Sequence, residues 1–344
     1  MKLYECSACG HAVYFQNNCC VRCSSELAFD PKSMSIHAPD TPLCVNGIKF
    51  NACNWLASAD SPDGFCVACD LNRTIPNLSD PNNLALWKKI QLEKNHLVYS
   101  LLRFGLPVFS QDTHPQTGLA FDFLDAEAQE QGPVVRTGHA NGVITINIRE
   151  ADDAYRAAAK QTMGEPYRTL LGHFRHESAH YYWDRLVRDT SWLPRVRSLF
   201  GDDTADYSQA LDTHYKSGPP ANWKSSYISA YASAHAWEDW AETWAHYFHL
   251  VDALECAGEL GLTLDPITGR NMSVPETPTL DPYQCDDMTL LMERWLPISV
   301  ALNMLNRSLG QADAYPFVLS PAIVNKLSLI HSIIADASQP PTTV

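Results

Sequence analysis

The chain has 344 residues, of which 45% are hydrophobic and 19% are charged, and its formal net charge is −14. Its length and apolar content predict a soluble globular protein with two or more folding units. The acidic balance disfavours nucleic acid as a partner, because neutralising phosphate needs a basic face. No secretory signal is recognisable and no apolar run approaches the roughly 20 residues of a membrane span, so we expect a cytoplasmic protein without a membrane contact.

Cysteine is concentrated at the amino-terminal end, where nine of the 11 cysteines lie before residue 70. Cys6 and Cys9, followed by Cys20 and Cys23, have the paired spacing of a zinc ribbon, in which four thiolates surround one ion. Cys19 is expected to be a bystander, since using it instead of Cys20 breaks the two-residue spacing. A disulfide framework is the alternative, and it requires an oxidising compartment that no signal peptide supports.

A second set of four cysteines follows, although its first spacing is looser than that of a standard zinc ribbon. Its members are Cys44, Cys53, Cys66 and Cys69. Residues 1–80 contain five lysines and arginines against eight aspartates and glutamates, so this region lacks the basic face that nucleic acid needs. The sequence therefore predicts two structural or protein-binding zinc sites here.

A polar stretch over residues 72–80 indicates a hinge, and we expect a boundary near residue 75 that separates domains 1–75 and 76–344. Asp80 and Pro81 predict the start of a helix that continues to about Phe104, and Gly105 predicts its end. The apolar face of this helix is expected to pack on the domain that follows. Residues 119–124 and 142–148 predict strands, the second with Ile144, Ile146 and Ile148 on one buried face.

The most informative motif is His176-Glu177-Ser178-Ala179-His180. On a helix, residues four apart share a face, so both histidines can bind one zinc ion while Glu177 faces the water in the open position. Zinc lowers the pKa of that water and the carboxylate accepts its proton, which produces a nucleophile able to attack a peptide carbonyl. The alternative is a solvated helix with incidental histidines.

In zinc peptidases the strand before the zinc helix commonly forms a sheet edge that receives extended substrate by strand addition. We place residues 142–148 at such an edge. An ordinary core strand is the alternative, since alternation alone does not distinguish the two.

A catalytic zinc ion takes three protein ligands, so a further residue must bind it. The candidates lie in residues 235–246, which predict a helix with Glu238, Glu242 and His246 at successive four-residue steps. Further helices are predicted around residues 287–308 and 320–337.

These motifs resemble the zincin metallopeptidases of the gluzincin-like type and, more closely, a largely uncharacterised bacterial family of zinc-binding metallopeptidases with an amino-terminal zinc-ribbon domain. The resemblance depends on the first four cysteines and on residues 172–183, 238–247 and 315–319. It implies an α+β fold in which the zinc-ribbon domain precedes a mostly helical zincin-like domain with a small sheet. It also implies Glu238 as third zinc ligand and Glu242 as a partner of a ligand histidine, and the reverse assignment stays open.

Peptide hydrolysis also needs a donor for the tetrahedral oxyanion. Related enzymes present a phenol from a position similar to that of Tyr231, seven residues before Glu238, and His235 is the rival candidate.

We therefore expect a zinc peptidase with one catalytic and two structural zinc ions. Glu177 acts as general base, the substrate is a peptide or protein, and the zinc-ribbon domain can recruit a protein partner. The alternative is a protein-binding zinc-ribbon module joined to an occluded or inactive zincin domain. The presence of Glu177 in the motif argues against that alternative, because a purely structural zinc site needs the two histidines but no general base.

Overall fold

The computed structural model describes residues 2–125, 137–163, 168–268, 273–274 and 280–338. Within these ranges the fold is α+β, as the sequence predicts: small hairpins come first, a four-stranded sheet follows, and long helices predominate afterwards. The chain divides into two compact units, residues 1–177 and 178–344, and their boundary falls inside one continuous helix. The domain boundary near residue 75 stays a prediction. No helix in the described ranges is both long and apolar enough to cross a membrane.

The amino-terminal cysteine-rich part consists of short antiparallel hairpins and one short helix. These are β1 (Tyr4–Glu5) paired with β2 (Ala12–Val13), β3 (Ala28–Asp30) paired with β4 (Ser35–His37), and helix α1 (Val45–Phe50). Each Cys-x-x-Cys pair of the first set makes the same tight turn: the N–H of Gly10 donates to the carbonyl of Cys6, and the N–H of Ser24 donates to that of Cys20, both over 2.8 Å. Gly10 and Ser24 have positive φ angles of 67° and 60°, so each turn closes through a left-handed residue.

An aromatic cluster fills the interior of this part. The ring centroids of Phe15 and Phe29 are 4.9 Å apart, and those of Phe29 and Trp55 are 4.7 Å apart. Tyr99 also contacts Phe15, with centroids 5.2 Å apart. Tyr99 belongs to the next helix, so the cysteine-rich part shares its core with a helix that follows the predicted hinge.

That helix, α2 (Pro81–Arg103), has the bounds that the sequence predicts. The side chain of Asp80 accepts from the N–H of Asn82, and Gly105 has a φ of 67° just past the end. Helix α2 packs on the segment that follows it, where Lys94 lies over the rings of Phe121 and Phe123, and Tyr99 on the same helix also contacts the cysteine-rich part.

A four-stranded sheet follows in the same unit, formed by β5 (Asn72–Thr74), β6 (Ala120–Leu124), β7 (Gly138–Ala140) and β8 (Val143–Asn147). The strand order is β5-β6-β8-β7, with β8 parallel to β6 and antiparallel to β7. Ile144, Ile146 and Ile148 are fully buried, as their alternation predicts. The edge position predicted for this segment is wrong, since β8 is paired on both sides and the short β7 forms the edge.

The remaining helices are α3 (Asp153–Met163), α4 (Leu170–Leu186), α5 (Leu193–Phe200), α6 (Tyr207–Ser217), α7 (Ala236–Glu259), α8 (Met288–Ser308) and α9 (Pro321–Ala337). Helices α8 and α9 confirm the sequence prediction closely. Helix α7 begins at residue 236 because His235 is extended and its ring Nδ1 accepts from the N–H of Trp237.

The core of the second unit joins the later part of α4 to α7 through aromatic pairs. The rings of Tyr182 and Trp244 stack with centroids 5.3 Å apart, and Trp183 meets Trp240 edge to face at 5.5 Å. The indole N–H of Trp240 donates to the carbonyl of Ala179 over 2.9 Å. All four rings are at least 97% buried, so α7 is held firmly against the helix that carries the histidine motif.

Candidate metal centres

The first four-cysteine set brings its sulfur atoms together. All four Sγ atoms lie within 4.8 Å of one another, with Cys6 and Cys23 3.7 Å apart and Cys9 and Cys20 also 3.7 Å apart. Four thiolates placed tetrahedrally about 2.3 Å from a zinc ion are about 3.8 Å apart, so these separations fit that ion. A disulfide would need the two sulfurs at about 2.05 Å, and all the cysteines are free.

The second set meets in the same way but in a buried position. The Sγ atoms of Cys44, Cys53, Cys66 and Cys69 lie within 4.8 Å of one another, and those of Cys53 and Cys66 are 3.7 Å apart. Burial raises the pKa of Cys53 and of Cys66 well above its usual value, because a thiolate loses its hydration there. A divalent cation supplies the charge that four such thiolates need, so the donor set fits zinc.

The loose spacing between Cys44 and Cys53 is explained by α1. Cys44 precedes this short helix, and Asn51 ends it in the left-handed conformation, which turns the chain back toward the start of the helix. Gly47 permits the return, because a Cβ there would lie 2.3 Å from the carbonyl oxygen of Cys53. Spacing rules based on short turns do not anticipate a helix between two ligands.

The third centre consists of His176, His180 and Glu238, whose candidate ligand atoms all lie within 4.8 Å of one another. The two histidines are one turn apart on α4, and Glu238 lies in the first turn of α7. His180 Nε2 is 3.7 Å from Glu238 Oε1. Glu238 is only 1% exposed, and a carboxylate is costly to bury unless a cation or hydrogen-bond donors face it. Two imidazoles and one carboxylate are the ligand set of a hydrolytic zinc site with one open position.

Two neighbours hold Glu238 and His180 in place. The hydroxyl of Tyr207, at the start of α6, donates to Glu238 Oε1 over 2.6 Å. The ring of Trp237 lies against that of His180, with centroids 4.3 Å apart. The sequence does not indicate Tyr207, because it precedes Glu238 by 31 residues and belongs to a segment without a recognisable motif.

The other candidate residues occupy distinct positions. Glu177 lies between the two histidines on α4 and is 8% exposed. Glu242 is half-buried one turn after Glu238 on α7 and is not part of the three-residue group. The ring of His246 is hydrogen-bonded to the hydroxyl of Tyr315 over 3.0 Å.

The two candidate oxyanion donors differ in what they contact. The ring of Tyr231, in a 3-10 turn (Tyr231–Ser233), meets that of His214 edge to face at 6.0 Å. His235 uses Nδ1 to accept from Trp237, while its Nε2 lies 3.1 Å from the carbonyl of Ala205. One nitrogen of His235 thus caps α7 and the other contacts the segment before α6, and the choice between Tyr231 and His235 stays a prediction.

A cavity of about 610 Å³ lies beside α6, in the second unit. Small side chains and turn residues form much of its wall, including Ala205, Ala210, Ser217, Gly218, Ser233 and Ala234. Asp206 and His214 contribute polar groups, and burial lowers the pKa of His214. Asp206, in the wall of the cavity, directly precedes Tyr207 in the sequence.

Comparison with known proteins agrees with these groupings. Residues 83–333 match a family described as "Putative zinc-binding metallo-peptidase", and residues 3–42 and 38–80 each match a family described as a zinc-ribbon domain. The long match contains the His-His-Glu group, and each zinc-ribbon match contains one of the four-cysteine sets.

The similar curated proteins include an uncharacterized protein from Mycobacterium bovis and two from Mycobacterium tuberculosis. Each is 41% identical to this chain over 343 residues, which cover 98% of this chain and 96% of the relative. No solved structure matches the chain.

Proposed function

Because the chain belongs to this family of zinc-binding metallo-peptidases and carries an amino-terminal zinc-ribbon domain, we propose that it hydrolyses peptide bonds at the centre formed by His176, His180 and Glu238. The observation that carries the proposal is the convergence of these three donors, with Glu177 next to the first histidine. A zinc ion bound there would polarise the scissile carbonyl and lower the pKa of a water molecule.

Glu177 is proposed as the general base and then the general acid. Its carboxylate accepts a proton from the attacking water and later delivers it to the nitrogen of the leaving amine. Glu177 directly follows His176 on α4 and is only 8% exposed, so its carboxylate lies beside a proposed zinc ligand and is largely shielded from bulk water.

Glu238 is proposed as the third ligand, since its carboxylate lies against His180 whereas Glu242 is one turn further along α7. Tyr207 then fixes the orientation of that ligand through its short hydrogen bond. This arrangement is of the gluzincin type.

Tyr231 remains the proposed oxyanion donor. Its support is its position beside His214, which lines the cavity next to α6. That cavity has room for a side chain of a peptide substrate.

The two four-cysteine centres are proposed as structural zinc sites, one in each zinc-ribbon match, and as the part of the chain that can recruit a protein partner. The proposed zinc content is therefore three ions per chain, one catalytic and two structural. A boundary between domains 1–75 and 76–344 is proposed with them.

The decisive experiment combines elemental analysis with cleavage of a peptide library. Wild type should contain about three zinc ions, and a His176→Ala, His180→Ala double variant should lose one of them. Glu177→Gln should keep all its zinc and lose cleavage by at least about a hundredfold, as expected for loss of a general base. Glu259→Gln, at the exposed end of α7, is the matched control and should cleave like wild type.

Retention of all zinc by the double variant would refute the proposed centre. If the double variant loses one zinc ion but wild type cleaves no peptide, the alternative gains support: a protein-binding zinc-ribbon module with an occluded zincin domain. The low exposure of His180 and Glu238, 5% and 1%, is the observation that favours this alternative.

A further inference from the structure

Helix α2 buries three polar side chains on the side that faces the second four-cysteine centre. Gln91 and Lys94 are fully buried and Asn95 is 2% exposed. Buried lysines are rare because removing an ammonium group from water is costly unless something compensates the charge. These three residues therefore require an explanation that packing alone does not give.

The three side chains form a continuous hydrogen-bonded network that ends at a sulfur atom. The Asn72 amide donates to Gln91 Oε1 over 3.0 Å, and Gln91 Nε2 donates to Asn95 Oδ1 over 2.8 Å. Asn95 Nδ2 in turn donates to Cys53 Sγ over 3.5 Å, within the range for a sulfur acceptor. Because the Asn95 oxygen is occupied by Gln91, its amide group is oriented with the N–H directed at the sulfur.

Lys94 binds neutral groups in the same interior. Its ammonium donates to the carbonyl of Ala68 over 2.5 Å and to the side-chain oxygen of Asn72. The rings of Phe121 and Phe123 cover it, with centroids 5.8 and 6.0 Å away. Ala68 lies in the Cys66-to-Cys69 segment, so this contact fixes the ammonium beside the centre.

No carboxylate in the described ranges lies within ion-pair distance of Lys94, and Asp70 acts on it only from further away. Burial lowers the pKa of Lys94, and the thiolates of Cys69, Cys66, Cys53 and Cys44 oppose that effect. Because the Lys94 ammonium is hydrogen-bonded to Ala68, between the ligands Cys66 and Cys69, the four-cysteine centre provides the negative charge next to it.

We propose that Lys94 is the counter-ion of the second zinc centre and that Asn95 is a hydrogen-bond donor to its Cys53 thiolate. Four thiolates around one divalent ion carry a net charge of −2, which the ammonium reduces to −1 within a nonpolar interior. This inference rests on the proposed assignment of zinc to that centre. It adds that α2, which lies in the metallo-peptidase match, provides the residues that surround the ligands.

A physical consequence distinguishes this proposal from simple packing. The Lys94 ammonium offsets part of the negative charge of four thiolates around one divalent ion, and a neutral side chain of the same length does not. Metal binding at the second centre should therefore depend on the charge of residue 94 in particular, and not merely on a well-packed α2.

The test measures zinc retention by full-length protein in competition with a chromophoric chelator. Lys94→Met keeps the length and apolar stem but removes the charge, and it should weaken the retention of one zinc ion by about 10- to 100-fold, as loss of a group surrounding the ligands typically does. Lys88→Met, on the partly exposed side of the same helix, is the matched control and should leave all zinc retention unchanged.

Asn95→Asp provides a second variant of nearly identical shape, which keeps the proposal testable if Lys94→Met fails to fold. The new carboxylate would face the Cys53 thiolate, so retention of the same zinc ion should fall and the ultraviolet charge-transfer band of the cobalt-substituted protein should shift. Wild-type retention in both Lys94→Met and Asn95→Asp would overturn the proposal. If wild type holds no metal at the four cysteines, which Cys66→Ser with unchanged zinc content would show, the zinc assignment itself fails, and the inference fails with it.

Discussion

The hydroxyl of Tyr207 donates to Glu238 Oε1 over 2.6 Å, and the same oxygen lies 3.7 Å from Nε2 of His180. One carboxylate oxygen thus faces both a phenol and a proposed zinc-binding imidazole. Tyr207 is the first residue of α6 and Glu238 lies in the first turn of α7, so this bond joins the starts of the two helices at the proposed metal ligand. A donor to a ligand carboxylate sets its orientation and decreases its charge.

Tyr207→Phe should weaken zinc binding at the His-His-Glu centre by about 10- to 100-fold, because the carboxylate loses the donor that orients it. The measurement is zinc retention against a chelator, together with kcat/KM on a cleaved peptide. Tyr215→Phe, on the same helix but 66% exposed, is the control and should change neither quantity.

A different result would reassign Tyr207. If zinc retention stays at the wild-type value while kcat falls, the phenol acts on the reaction and not on the ligand, and Tyr207 would replace Tyr231 as the oxyanion donor.

The second unit contains a buried ion pair between α7 and α9. Lys326 Nζ donates to Asp239 Oδ2 and to the carbonyl of Ser226 over 2.5 and 2.6 Å, and the side chains of Lys326 and Asp239 are 6% and 0% exposed. Lys326→Met should lower the free energy of unfolding by about 3–5 kcal/mol, because it leaves a buried carboxylate without its partner. The Lys326→Met, Asp239→Leu double variant should recover most of that loss.

Urea unfolding of wild type, Lys326→Met, Asp239→Leu and the double variant gives the four free energies of unfolding that make up this double-mutant cycle. A loss below about 1 kcal/mol in Lys326→Met would place the pair among surface-like ion pairs and contradict the prediction. Zinc content measured in parallel shows whether the change extends to the neighbouring Glu238.

The parts that the sequence predicts well share a physical basis in local geometry. Cys-x-x-Cys turns, the four-residue step between His176 and His180, and the cap at Asp80 depend only on residues a few positions apart. The structure accordingly forms both Cys-x-x-Cys turns of the first set and begins α2 at Pro81.

The parts that the sequence does not predict depend on distant partners. Lys94 and Asn95 are polar and are therefore expected on a solvated face, but their partners come from segments more than 20 residues away. The position of β8 inside the sheet likewise depends on pairing with β7, since alternation of Ile144 and Ile146 is the same for an edge strand and an inner strand.

An ion pair between Arg73 and Asp122 joins β5 to β6. Because of this pair, we expect the free energy of unfolding to depend on pH. Burial acts to raise the pKa of Asp122, but hydrogen bonds from Arg73 outweigh it and hold that pKa below its usual value of 3.8. The folded protein therefore binds this proton less tightly than the unfolded chain does. The pair contributes stability above about pH 4 and loses it as the pH falls further.

Asp122→Asn should therefore lower the free energy of unfolding by about 1 kcal/mol at pH 7, a value reduced by solvent screening because the Arg73 side chain is 50% exposed. Near pH 3 the difference from wild type should shrink. Asp60→Asn, in an exposed loop, is the control, and denaturant titrations at both pH values make the measurement. An equal difference at both pH values would show that packing, and not the charge pair, explains the effect.

Gly47 packs directly against the backbone of Cys53. A Cβ at residue 47 would lie 2.3 Å from the carbonyl oxygen of Cys53, so Gly47→Ala must displace the backbone of a proposed zinc ligand. We expect a loss of about 1–3 kcal/mol in the free energy of unfolding, as for other overpacked sites, together with weaker retention of one zinc ion. Gly258→Ala is the matched control: it lies inside α7 with no atom within 4 Å of the new methyl group, and it should stabilise the protein by about 0.5–1 kcal/mol. Denaturant unfolding and chelator competition on both variants measure the contrast, and equal stability of the two variants would show that the second centre tolerates movement of Cys53.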